Sequence, residues 1–183
     1  MGQRHQVYLC VNDDENKKTV VGIHHQWLYG YTAISRIERM VKFLEVQSTP
    51  DSRAFNNHSL EILRGMYSLV PEEGYFHEVS FLDRECEDPR RGDNNDGITI
   101  FDFRNLKTPK YCLMSIRHLG GEADSPEALV PLSAEQYFNI YYPKFPETDK
   151  EQVKQIKSTL KYLSKIPVMT IEACKEIFPK MYQ

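Results

Sequence analysis

The run Val7-Tyr8-Leu9-Cys10-Val11, the polar turn Asn12-Asp13-Asp14-Glu15-Asn16-Lys17-Lys18 and the return Thr19-Val20-Val21-Gly22-Ile23-His24-His25 decide how this chain folds. Apolar residues alternate at Val7, Leu9 and Val11, the period of two that marks a strand. The turn has no apolar side chain to bury, so the second run returns beside the first as an antiparallel hairpin. With the turn centred near Glu15, residues whose numbers sum to about 30 face each other. His5 then falls opposite His24 or His25, with Arg4 close by.

Working outward, the return strand leads into Gly22-Ile23-His24-His25-Gln26-Trp27-Leu28-Tyr29-Gly30, which holds the only Trp and two of the six His. It reads as the end of a core strand turning out to present a polar and aromatic surface. Thr32 caps a predicted helix running to about Glu45, in which Ile34, Ile37, Val41 and Leu44 form the buried stripe. Arg36, Arg39 and Lys42 fall on the opposite face and are expected in solvent. Ser48-Thr49-Pro50-Asp51 ends that pattern, and a weaker helix is expected from Ser59 to Met66.

A strand is expected from Tyr75 to Leu82, an exposed charged loop from Arg84 to Asn95, and the tight turn Asn94-Asn95-Asp96-Gly97 feeding a strand over Ile98–Phe103. Tyr111–Ile116 is its expected antiparallel neighbour. Ser133-Ala134-Glu135-Gln136 and Thr148-Asp149-Lys150-Glu151 both match the capping box, and Thr170 caps a short last helix through Phe178. The order of elements predicts an α+β fold: a mostly antiparallel sheet with an N-terminal hairpin, packed by several helices, in a single domain over residues 1–183. Within it, residues 71–102 form an acidic strand and loop region and residues 149–183 a helical C-terminal part.

Composition bounds the function. A chain of 183 residues with 40% hydrophobic and 11% aromatic content can bury a real core. No apolar run approaches the roughly 18–20 residues that a membrane span needs, and the first residues carry no apolar signal segment. Gly2 invites a myristoylation reading that Gln6 defeats, since that position requires Ser or Thr. Four widely spaced cysteines (Cys10, Cys86, Cys112, Cys174) match no zinc or disulfide framework and imply reduced thiols and a cytoplasmic setting. The net charge of −3 is uneven: ten acids against three Arg over residues 71–102, and eight Lys against five acids over 144–183. The basic part permits an anionic partner without demanding one.

Candidate chemistry is sparse. Adjacent strand residues leave opposite faces, so His24 and His25 cannot share one metal without distortion, and no metal or cofactor is expected. Asp93-Asn94-Asn95-Asp96-Gly97 fails as a calcium loop, because the twelfth position is Arg104 rather than Glu. Cys10, between apolar neighbours, reads as a small core filler. No nucleophile elbow or phosphate loop occurs, and no catalytic residue is assigned. A small enzyme or ligand-binding protein with a polar pocket around Arg4, His5, His25, Gln26 and Asp96 remains the alternative.

The last long helix says more. Val153, Ile156, Leu160 and Leu163 make its expected buried stripe, while Lys150, Lys154, Lys157 and Lys161 recur at four, three and four on one exposed face. Such a row is usually a solvated face; otherwise it meets an anionic surface, through phosphate contacts that position without reading sequence. Arg4, Arg36 and Arg39 extend that surface in this reading. Trp27, Tyr29, Tyr31, His24 and His25 are candidates to stack on unpaired bases.

Four blocks carry a resemblance: Gly2-Gln3-Arg4-His5-Gln6, His24-His25-Gln26-Trp27-Leu28-Tyr29-Gly30, Gly92-Asp93-Asn94-Asn95-Asp96-Gly97-Ile98-Thr99 and Pro131-Leu132-Ser133-Ala134. Together they resemble a family of small fungal proteins, mostly uncharacterised, to which ribosome dormancy factors of microsporidia are similar. The blocks run from residue 2 to about residue 142 and leave out the lysine helix. The resemblance implies ribosome hibernation by occlusion, with a folded domain in the tRNA exit site of inactive ribosomes, near the L1 stalk. It implies contacts to ribosomal RNA and ribosomal proteins, blocked tRNA binding and no chemistry, with neither membrane nor DNA as a partner. The acidic net charge departs from the basic character common among ribosome binders; the acidic segment would then face basic ribosomal proteins.

Overall fold

The computed structural model describes residues 4–12, 17–26, 30–47, 79–82, 89, 97–114, 129–143 and 150–183. Strand β1 (Arg4–Asn12) pairs antiparallel with β2 (Lys18–Gln26), from Arg4 opposite Gln26 to Asn12 opposite Lys18. Paired numbers therefore sum to the expected value, and His5 stands opposite His25. A polar turn flanked by two equal apolar runs leaves little freedom of register, because a one-residue slip would turn every buried side chain to the other face.

Three more strands complete a sheet of order β3-β2-β1-β4-β5: β3 (Val79–Leu82), β4 (Ile98–Asp102) and β5 (Lys110–Met114). β5 joins β4 antiparallel, as expected, and β3 joins β2 antiparallel. The central pairing differs: β4 runs parallel to β1, from Gln6 beside Ile98 to Cys10 beside Asp102. The sheet is thus mixed. A parallel neighbour needs a crossover of a dozen or more residues, and the long stretch between β2 and β4 supplies it.

That arrangement buries β1 on both faces, as strands inside a parallel pair usually are. Val7, Leu9 and Val11 point to one side with Ile23, Phe101 and Leu113. Against them lie the helices α1 (Gly30–Gln47), α2 (Ala134–Tyr141) and α3 (Lys150–Leu163). Tyr8, Cys10, Ile98, Ile100, Cys112 and Met114 point to the other side. They are covered by α4 (Ile171–Ile177) and the 3-10 turn Pro179–Tyr182, through Cys174, Ile177, Phe178 and Met181. Apolar alternation at Val7, Leu9 and Val11 suggested one inward face; Tyr8 and Cys10 are as fully buried as their neighbours.

The α1 stripe Ile34, Ile37, Val41 and Leu44 is buried as its spacing predicts. Helix α1 begins at Gly30, so Thr32 lies in its first turn rather than before it. A second correction concerns Arg36, expected in solvent and found only 3% exposed. Ala33, Arg36 and Met40 form a second buried row, because α1 is covered on more than the side that meets the sheet. Arg39 and Lys42 are exposed as predicted. Lys42 pairs with Glu38 at 2.6 Å and sits 5.1 Å above the Tyr162 ring, while Glu38 accepts a bond from Thr159 Oγ1 at 2.5 Å. These contacts dock α3 on α1. They also shift the buried stripe of α3 to Ile156, Thr159 and Leu163, with Val153 and Leu160 only half-buried.

Ser133 forms both halves of the capping box with Gln136, and Thr170 accepts from the Ala173 amide. The expected helix at Ser59–Met66, the loop Arg84–Asn95 apart from Pro89, the first half of the Tyr75–Leu82 strand, the Thr148–Asp149 cap and the end of Tyr111–Ile116 lie outside the described residues. No helix among the described residues is long and apolar enough to cross a membrane.

Candidate functional site

Described residues from each of the four sequence blocks meet inside the molecule. His5 and Thr99 are on neighbouring strands and on the same face of the sheet, and His5 Nε2 shares a 2.8 Å hydrogen bond with Thr99 Oγ1. Both residues are buried, His5 completely. The imidazole also meets the Tyr137 ring edge-on, 6.4 Å between centroids. On the opposite face Gln6 Oε1 accepts a bond from the Tyr8 hydroxyl at 2.8 Å. A buried polar group costs free energy unless it is hydrogen-bonded, and each of these finds a partner within the fold.

Tyr137, itself fully buried, is the centre of this node. A Cβ added at Gly30 would stand 2.6 Å from Tyr137 Cε1, so the start of α1 passes the ring with no room for a side chain. Gly97 has a positive φ of 91°, and a Cβ there would meet the Met114 carbonyl and stand 3.2 Å from the Tyr137 hydroxyl. The block Pro131–Ala134 delivers Tyr137 to that slot. Leu132 exchanges two backbone hydrogen bonds with Leu113 (3.0 and 2.8 Å), Ser133 caps α2, and the Ala134 amide donates to the Tyr111 hydroxyl at 3.1 Å. Of the described block residues, His5, Gln6, Gly30, Gly97, Thr99 and Ala134 therefore build core. Tyr137 was missed in the sequence because nothing local distinguishes it from Tyr141 or Tyr142; the only signal was the pair of glycines that it needs.

The remaining predicted residues scatter. Arg4 and His24 are half-buried at the same end of the sheet. His25 is placed by its backbone, opposite His5 and beside Val79. Trp27, Tyr29 and Asp96 lie outside the described residues, so the polar pocket expected with Arg4, His5, His25, Gln26 and Asp96 is represented only by its strands. Its His5 is spent on Thr99. Tyr31 is half-buried, edge-on to Tyr142 at 5.4 Å between centroids. Burial, then the nearby Arg39 charge, lowers the Arg36 guanidinium to a pKa of about 10, which leaves it charged at neutral pH but away from any partner surface. Among the described residues no three His, Cys, Asp or Glu side chains gather as a metal site requires.

What the fold does present is the face of α3. Lys150, Lys154, Lys157 and Lys161 are all exposed, opposite the buried Ile156, Thr159 and Leu163. Among the described residues none of the four joins an ion pair. At a rise of about 1.5 Å per residue the row is roughly 16 Å long. Lys165 stands exposed just past its end.

Two cavities lie near the opposite end of the sheet from the His5 node. One, about 340 Å³, is bounded by Asn12, Asp102, Arg104, Asn105, Thr108 and Lys110 at the carboxyl ends of β1 and β4. Its charges are largely internal: Arg104 grips Asp102 through Nε (2.9 Å) and Nη2 (2.8 Å) and reaches Glu176 through Nη1. That pairing, led by the Asp102 bonds, holds the Arg104 pKa above its usual value. The other cavity, about 210 Å³, lies between the end of α1 and the chain leaving α3. Beneath the sheet, Cys112 and Cys174 sulfurs are 3.7 Å apart and buried with Cys10, and burial raises the Cys10 and Cys112 thiols well above their ordinary range. These thiols are core fillers, as the apolar neighbours of Cys10 suggested. Comparison of the chain with protein-family models, with curated proteins and with solved structures finds no match.

Proposed function

We propose that this protein is a cytoplasmic ribosome dormancy factor, a folded plug that occupies the tRNA exit site of inactive ribosomes and keeps tRNA out. The observation that carries the reading is the α3 face: four exposed lysines along one side, flanked by the single carboxylate of Glu151, with none of the four in an ion pair among the described residues. A row of this kind meets a phosphate-rich surface by charge, releasing counterions and positioning the protein without reading bases. The resemblance of the four blocks supplies the identity of that surface, ribosomal RNA and ribosomal proteins near the exit site and the L1 stalk. Arg39 adds a positive charge from α1; Arg4, His24, Trp27 and Tyr29 are further candidate contacts from the hairpin end. The use of His5, Gln6, Thr99, Gly30 and Gly97 in the core supports a role by shape, since those block residues have a structural purpose already.

Co-sedimentation of the purified chain with ribosomes tests the reading. The chain pellets at low salt and is released as salt rises, as phosphate contacts require. Lys154→Glu/Lys157→Glu/Lys161→Glu weakens binding by at least about tenfold, or roughly 1.4 kcal/mol, with an unchanged melting temperature. Full binding by the triple variant would remove α3 from the interface. A chain that stays in the supernatant at low salt would remove the proposed function.

A further inference from the structure

We infer that the cavity between the end of α1 and the β4–β5 turn is a docking seat for one apolar side chain of an extended, acidic protein segment. Its floor is apolar: Val41 and Leu44, both buried on α1, with Leu106 and Ile166 half-buried beside them. Pro109 and Pro167 make the sides. A volume of about 210 Å³ is below the ~300–1,000 Å³ of pockets that enclose drug-sized ligands, and suits a single side chain. Val46, next along α1 and 60% exposed, adds apolar surface to that end of the helix.

Charge selects the partner. Lys107 and Lys165 stand exposed in the lining, and Glu45 is the one carboxylate among its described residues. Two exposed ammonium groups stand against that single carboxylate, so the described mouth carries a net positive charge. A ligand must therefore bring an apolar group flanked by negative charge. Single-stranded RNA and an acidic peptide both meet that description, and the lining separates them. Unpaired bases are held by stacking on aromatic rings or arginine planes, and the described lining residues include neither. Aliphatic and proline walls instead fit a leucine or phenylalanine side chain. In an extended segment, that anchor would point inward while acidic neighbours reach the two lysines.

The inference goes beyond the ribosome reading and uses other residues, so each can fail alone. The test is fluorescence anisotropy of the full chain with a labelled peptide Asp-Glu-Asp-Leu-Asp-Glu-Asp. The same peptide with Ser for Leu and an eight-residue oligouridylate serve as competitors. Binding of the Leu peptide, loss of about tenfold on Lys107→Glu/Lys165→Glu and a comparable loss for the Ser peptide are expected. Because both lysines are exposed, that variant keeps the fold, and an unchanged circular dichroism spectrum and melting temperature verify it. Equal affinity for the Leu and Ser peptides, failure of the Leu peptide to bind, or stronger displacement by oligouridylate than by unlabelled Leu peptide would each overturn the proposal.

Discussion

Gly97 shows how a single residue is held by two demands at once. Its φ of 91° favours glycine, and the Met114 carbonyl and Tyr137 hydroxyl fill the place of a side chain. Gly97→Ala is expected to lower the free energy of unfolding by about 1–3 kcal/mol, measured by urea denaturation. Gly30 is limited by space alone, against the Tyr137 ring. Gly30→Ala should therefore be partly relieved in the double variant with Tyr137→Leu, giving a coupling of about 0.5–3 kcal/mol in a double-mutant cycle. Additive losses would show that the ring does not set the need for glycine. Thr99→Val removes the hydroxyl that pairs with His5 Nε2 and is expected to cost about 1–3 kcal/mol, whereas an exposed Thr loses little.

Elements carry their own signals, and these were the readable part of the chain. The capping box at Ser133 was visible in four letters and is present in full. Ser133→Ala should cost about 0.5–2 kcal/mol in urea unfolding, and because α2 carries Tyr137, the loss should appear in the global transition rather than as local fraying. The lysine face of α3 was equally visible, since a spacing of four, three and four defines one side of a helix whatever it packs on. Arg36 was misread for the converse reason. Its place opposite the apolar stripe says nothing of a second neighbour, and α1 has more than one. The expected α3 stripe of Val153, Ile156, Leu160 and Leu163 likewise left out Thr159, which is buried and donates its hydroxyl to Glu38.

At the scale of the whole molecule, the sheet is covered on both faces, and the last thirteen residues (171–183) supply much of one cover. Cys174, Ile177, Phe178 and Met181 are each no more than 4% exposed. Burial of a large apolar side chain contributes roughly 1.5–3 kcal/mol, and several together rival the ~5–15 kcal/mol stability of a whole domain. Deletion of 171–183 is therefore expected to abolish cooperative urea unfolding and to give a chain that binds a hydrophobic dye. A truncated chain with a sharp transition would mean that this cover is dispensable.

The hairpin register, the caps at Ser133 and Thr170 and the exposed lysines follow from the sequence by itself, because each depends on residues within a few turns of one another. The parallel partner of β1, the burial of Arg36 and the meeting of four blocks on Tyr137 were decided only by tertiary structure. A period of two says that a segment is a strand but not who lies beside it or in which direction. Between Gln6 and its neighbour Ile98 runs most of the first half of the chain, and no local pattern reaches across that distance.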